Sequence, residues 1–269
     1  MSQLVFLPTT KRWARLAVAA LFGGVFGLPL LLLLLAAFTA QWNGVLPSRL
    51  TLHHMRALAS GDQGAALLHS VATGLLASAG ALLLGGGGAL AARGLPRSLR
   101  RALDTLYFLP VALPSSTIGL ALLIAFSRKP ILLNGTAILV ILAHVVLVMA
   151  YAYATIGAGL ELLPQNLEEI AGSLGATRSR VLITITLPLL LPQILAALSL
   201  GFALSMGELG ASIMLYPPQW VTAPVEVFAL TDRGDIYAGA ALGAALLACA
   251  FAVLALLSRR ASWQGECRP

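Results

Sequence analysis

Leu163-Pro164-Gln165-Asn166-Leu167-Glu168-Glu169-Ile170-Ala171-Gly172-Ser173-Leu174-Gly175-Ala176-Thr177-Arg178-Ser179-Arg180 is a compact polar stretch set between two long apolar runs. Pro164 suits a first helical position, and Glu168 and Glu169 lie early enough to favour the positive end of a helix. Gly175 suits the left-handed conformation that ends a helix, and Thr177 or Ser179 caps the next one. The stretch predicts two short helices meeting at a glycine corner, a knuckle standing out from whatever the flanking runs build.

Those runs fix the class. Of 269 residues, 59% are hydrophobic and 10% charged, against roughly 25% charged in an ordinary soluble domain. A bilayer core of about 30 Å needs ~20 apolar residues in a helix. Six runs qualify, approximately 16–40, 65–92, 102–126, 135–157, 187–206 and 236–257. The expected fold is all-α, a polytopic six-helix membrane bundle forming one transmembrane domain over residues 1–269. The first run is longer than the ~7–15 residues of a signal-peptide core and is read as an uncleaved first helix.

The net charge of +7 does not signal nucleic acid, because the basic residues stand at the ends of apolar runs instead of forming one stripe. Cytoplasmic loops retain Lys and Arg. With the N-terminus inside, Lys11, Arg12, Arg15, Arg93, Arg97, Arg100, Arg101, Arg178, Arg180, Arg259, Arg260 and Arg268 are internal. Arg49, Arg56, Arg128, Lys129 and Arg233 remain outside. Both termini and the 158–186 segment are then cytoplasmic. Cys249 and Cys267 make no disulfide framework. Gly85-Gly86-Gly87-Gly88 and the Gly239-x-x-x-Gly243 spacing read as close helix packing. A phosphate loop needs a Gly-Lys pair, and Lys11 and Lys129 follow Thr10 and Arg128, so no ATP site is expected on this chain.

The knuckle resembles the hallmark loop of binding-protein-dependent importer permeases: Glu-Ala-Ala, three residues, Gly, nine residues, Ile, one residue, Leu-Pro. Glu169-Ile170-Ala171, Gly175 and Ile185-Thr186-Leu187-Pro188 keep that spacing, with Ile170 where Ala is usual. The resemblance implies the type I ABC importer permease (MetI-like) fold in a bacterial inner membrane. It also implies that the knuckle, with Glu168, Glu169, Ala171, Gly175, Ala176 and Thr177, docks on a separate ATP-binding cassette ATPase dimer carrying ATP and Mg. A periplasmic substrate-binding protein and a second permease subunit, identical or not, are the other implied partners. No cofactor is implied on this chain itself.

A second stretch, Ser205-Met206-Gly207-Glu208-Leu209-Gly210-Ala211, carries an acid at the end of an apolar run, which is costly unless it meets a partner or water. Met206, Gly207, Glu208 and Gly210 are candidates for the translocation path or gate, a buried interhelical hydrogen bond being the competing reading of Glu208. The Gly-Glu-x-Gly-Ala pattern resembles permeases for oxyanions, thiamine and ferric ion. The longer stretch from Met206 through Tyr216-Pro217-Pro218-Gln219-Trp220 to Gly234, with Gln41-Trp42-Asn43-Gly44 and Pro47, resembles permeases for 2-aminoethylphosphonate.

Other residues have two readings. Arg128, Lys129 and Arg233 either favour an anion or are solvated or paired with Asp232 and Asp235. His53-His54 lacks a third ligand and reads as an interface loop, not a metal site. His144 and Asp104 read as hydrogen-bonded packing residues. Pro188 and Pro192 begin and bend the fifth span, or serve as its pivot. A secondary transporter coupled to protons or sodium would use Glu208, His144 and Asp104 and predicts paired broken spans. An intramembrane enzyme would need a paired catalytic motif that the sequence lacks.

Overall fold

The computed structural model describes residues 8–265 apart from 45, 46 and 60. Cys267 and Arg268 lie outside the described residues, as do the side chains of Lys11, Arg259 and Arg260. Helix α1 (Arg12–Ala37) leads through a small hairpin, β1 (Thr39–Gln41) and β2 (Arg49–Leu50), and α2 (His53–Ala57) to α3 (Asp62–Ala92). Next come α4 (Arg97–Ala112), α5 (Ser115–Ala125), α6 (Ala137–Leu162), α7 (Gln165–Ser173), α8 (Arg178–Leu189) and α9 (Leu191–Met206). The chain ends with α10 (Ser212–Leu215), α11 (Ala223–Asp232) and α12 (Ile236–Gly265).

The core is the mutual packing of α3, α6 and α9, with Ala81, Val148, Ala152, Ile156, Leu190 and Ala197 buried at their contact. Lipid supplies no hydrophobic drive between helices, so the fit depends on small residues that let backbones approach. At Gly85 an added Cβ would collide with the Met149 carbonyl oxygen and stand 3.0 Å from Tyr153 N. Gly85 and Gly86 therefore form the seam of α3 against α6, whereas Gly88 makes room for the Tyr107 ring of α4 and Gly87 faces open space. Likewise α12 lies against α1 and α11, an added Cβ at Gly239 standing 2.8 Å from Thr231 Cγ2 and one at Gly243 3.8 Å from Leu33 Cδ1.

Four of the expected spans are unbroken helices, Arg12–Ala37, Asp62–Ala92, Ala137–Leu162 and Ile236–Leu257. The third and fifth are not straight. Helices α4 and α5 meet at 104°, and α8 and α9 at 66°. Proline explains both breaks. Leu113, ahead of Pro114, is forced to φ −107°, ψ 145°, which cannot continue a helix. Pro192 stands at the start of α9 just after the Leu190 bend. The 11 residues of α5 rise only about 16 Å, short of a bilayer core.

Proline also accounts for two of the three π-helical turns among the described residues; the third, Leu82–Gly86, precedes no proline and lies in the glycine run of α3. The π-helical turn Gly23–Gly27 ends two residues before Pro29, and the π-helical turn Leu182–Thr186 ends two residues before Pro188. A proline ring clashes with the carbonyl four residues back, and a widened turn relieves the clash without ending the helix. The fifth span consequently starts at Arg178, nine residues before the expected Leu187, and takes up much of the connector assigned to 158–186. The 207–235 connector also contains structure, α10 and α11.

Candidate functional site

Two places where helices stop deserve the functional reading, one at each end of the bent fifth span. At the knuckle, α7 begins at Gln165, with Pro164 extended at φ −61°, ψ 116° as the residue before the helix and not its first member. The helix ends as the sequence predicts. Gly175 has φ +85°; its N–H donates to Gly172 O at 3.0 Å, and the Ala176 N–H donates to Ala171 O at 3.0 Å. This pair of reversed bonds closes an α-helix around a left-handed residue. Of the two possible caps, Thr177 is used: its hydroxyl accepts from the Arg180 N–H at 3.4 Å.

The two adjacent acids part company. Glu169 is exposed. Glu168 turns back into the bundle, where its Oε1 accepts from Arg93 Nη1 at 2.7 Å and from the Thr186 hydroxyl at 2.7 Å. Arg93 beside it, with the Thr186 bond adding to the effect, holds this carboxyl below the usual glutamate range against the opposing cost of partial burial. A second ion pair, Arg100–Glu161 at 2.5 Å, fastens the start of α4 to the end of α6. Asp104 accepts from the Tyr153 hydroxyl at 2.6 Å, and the Tyr153 ring stacks on Tyr107 at 4.4 Å. Asp104 is thus a hydrogen-bonded packing residue. Arg93, Arg100, Asp104, Tyr153 and Glu161 line a polar cavity of about 410 Å³ on the knuckle side of α4 and α6.

At the other end, α9 stops at Met206 and α10 starts at Ser212, opposite the α4–α5 corner. Non-helical backbone at membrane depth needs partners from the protein itself. Glu208 supplies one, its Oε1 accepting the Ala211 N–H at 2.7 Å. This local bond replaces the interhelical one expected as the competing reading. Buried His144 supplies the interhelical bridge instead: Nδ1 lies 2.6 Å from Ser205 Oγ and Nε2 2.8 Å from Ser212 Oγ. Neutral imidazole has one donor and one acceptor nitrogen, so the serines take opposite roles. Gly210 abuts the first turn of α5, an added Cβ there colliding with Ser115 Oγ and standing 3.1 Å from Ser116 N.

Glu208, Tyr151, His144, Leu204 and Pro110 line a cavity of about 160 Å³ at this corner. Of the candidate gate residues, Glu208 faces it, Gly207 is exposed, Gly210 sits at the α5 contact, and Met206 is buried beside Gly74 of α3. The knuckle residues lie at the other end of the α8–α9 pair, so the two predicted groups are separate sites joined by one bent span.

Sequence reasoning missed the fastening of 216–223 to α3. The Trp220 ring stacks on His69 at 4.3 Å, its Nε1–H donates to Thr73 Oγ1 at 3.0 Å, His69 Nδ1 lies 3.2 Å from Val221 O, and the Ala223 N–H donates to Ser70 Oγ at 2.7 Å. An ionisable His69 inside an apolar run was the signal. Arg128, Lys129 and Arg233 are all exposed. Among the described residues no ion pair joins Arg233 to Asp232 or Asp235, and Asp235 accepts the Ala238 N–H at 3.2 Å. His53 and His54 open α2, with His54 6.3 Å from the Tyr237 ring.

Residues 84–262 match the family model of the binding-protein-dependent transport system inner membrane component. A Salmonella choleraesuis (strain SC-B67) protein named for a 2-aminoethylphosphonate transport system permease is 42% identical over 262 residues, covering 97% of this chain and 99% of that one. A chain in the crystal structure of a bacterial ABC transporter involved in the import of the acidic polysaccharide alginate superposes with a TM-score of 0.73 at 18% identity, covering 93% of this chain and 94% of that chain. A chain in the crystal structure of a bacterial alginate ABC transporter in complex with an alginate pentasaccharide-bound periplasmic protein gives 0.67 at 18% identity, covering 91% of each chain. The broken spans expected of a secondary transporter therefore occur in a different setting, for the chain belongs to the inner-membrane permeases of binding-protein-dependent ABC importers.

Proposed function

We propose that this permease forms one half of the membrane path of a 2-aminoethylphosphonate importer, driven through the knuckle by a separate ATPase. The observation that carries the reading is the continuity of the chain from the Thr177 cap through α8 to the Leu190 bend and on to the Glu208 corner. Displacing the knuckle displaces the head of the fifth span. Glu169, Ala171, Gly175, Ala176 and Thr177 form the docking surface for an ATP-binding cassette subunit, where ATP and Mg act. Both termini and the knuckle face the cytoplasm, in keeping with the excess of Lys and Arg at that end.

A periplasmic binding protein delivers the solute to the opposite face, as a periplasmic protein accompanies the alginate transporter. One chain supplies one knuckle, so a second permease, which we take to be non-identical, completes the path between two ATPases. Closure of the ATPases turns the cavity beside Glu208 toward the periplasm, and hydrolysis resets it. The full-length similarity to a protein named for 2-aminoethylphosphonate transport supports the cargo.

The test is ATP-dependent uptake by vesicles holding this chain with its co-purified partners and binding protein. Selective uptake of 2-aminoethylphosphonate over sulfate, molybdate, thiamine, ferric ion and putrescine is expected. ATP-dependent uptake of one of the others alone would discard the cargo and keep the importer.

A further inference from the structure

Of the two neighbouring acids in the knuckle, only Glu169 is presented to a partner. Glu168 is engaged twice on one oxygen, by Arg93 at the end of α3 and by Thr186 in the π-helical turn of α8. Those partners lie 75 and 18 residues away in sequence, so one carboxylate joins three elements: α7, α3 and α8. Thr186 is 2% exposed, and the Arg93 and Glu168 side chains are about one-third exposed. The junction is a lining of the knuckle and not part of its outer face.

Its position has mechanical consequences. Besides the Leu163–Pro164 linker and the Gly175 corner, α7 meets the bundle along the start of α8, and this junction is the polar contact there that also reaches α3. A flexible knuckle bound to a moving partner would turn about those corners and leave the spans behind. The carboxylate closes the hairpin into a braced triangle, and the Thr186 arm reaches the turn where the helix is widened ahead of Pro188. The Arg93 arm reaches α3, which packs on α6 and α9 in the core.

We infer that Glu168 is a positioning residue that transmits knuckle movement into α3 and α8 at once through Arg93 and Thr186, while Glu169 and the outer face hold the ATPase. The inference rests on the docking reading of the knuckle and adds a second output, α3, to the expected one in the fifth span.

The measurement is solute transported per ATP hydrolysed, alongside ATPase co-purification, in vesicles bearing the whole complex. Thr186→Val is the leading variant, since it removes one internal hydroxyl at almost constant shape and touches no partner. We expect it to lower the ratio about threefold, and Arg93→Ala about fivefold, with ATPase retained, on the scale of one charge-assisted hydrogen bond. Thr186→Ser should behave as the unmodified chain, and the exchange Arg93→Glu with Glu168→Arg should recover at least about half of the loss of either single change. Normal ratios in Thr186→Val and Arg93→Ala overturn the inference and leave docking intact. Loss of the ATPase from those two variants also overturns it, making the junction part of the docking surface. If the unmodified chain brings down no ATPase, the docking reading itself falls, and the inference with it.

Discussion

The knuckle and the corner beyond Met206 are both places where a membrane protein stops a helix, and they solve the problem by opposite means. The knuckle is closed by its own neighbours: the reversed bonds at Gly175 and Ala176 and the Thr177 cap span five residues or fewer. At the corner beyond Met206, one bond is local, from Glu208 to Ala211, but the bridge through His144 reaches 61 and 68 residues along the chain. Water satisfies loose ends at a surface, so local geometry suffices there. Inside the bilayer every orphaned group needs a protein partner, and the partner comes from wherever packing brings it.

If that contrast is right, the corner is the more fragile of the two. His144→Ala leaves Ser205 and Ser212 without their shared partner and opens a cavity, and should cost about 3 kcal/mol, read from thermal unfolding of the purified chain in detergent. A variant as stable as the unmodified chain would break the comparison. Gly175→Val comes next. A β-branched residue at φ +85° is strained by about 2 kcal/mol, felt where the knuckle is free to deform. Membrane insertion should be normal and ATPase co-purification reduced about tenfold, whereas Gly175→Asn, which tolerates that conformation, should lose less.

Glu208→Gln sharpens the picture at the corner. The amide oxygen still accepts from Ala211, so stability should change by less than about 1 kcal/mol. A large fall in uptake with so small a structural cost would assign the Glu208 charge to the path. The smallest effect is that of pH at the knuckle. Arg93, aided by Thr186, lowers the Glu168 carboxyl below its ordinary value of 4.5. A lowered acid stabilises fully above its ordinary value and loses that contribution as pH falls through the lower folded value. Knuckle protection, followed by hydrogen exchange, should be flat from about pH 8 to 5 and weaken only in stronger acid.

What the sequence revealed follows the same division. Apolar runs, basic ends and the knuckle's Gly175 and Thr177 are local signals, and four spans and the glycine corner could be read from them. The breaks at Leu113–Pro114 and Leu190 could not be dated from composition, because both sides of each remain apolar and only the backbone demands of proline distinguish a bend from a crossing. Pro188 and Pro192 illustrate the ambiguity: one is accommodated by a widened turn, the other marks the bend. Glu208 was legible as an unusual acid, but not its partner. His69 with Trp220, and Glu168 with Arg93, are pairings across 151 and 75 residues that no local pattern encodes.

The central claim is that movement of the knuckle reaches the corner at the far end of the fifth span. It can be tested by labelling Gly207→Cys with a membrane-impermeant maleimide, in complexes whose Cys249 and Cys267 are replaced by serine, with and without ATP. The account predicts that nucleotide changes the labelling rate when Gly175 is intact and leaves it unchanged in Gly175→Val complexes that still retain some ATPase. An equal nucleotide response in both would contradict it.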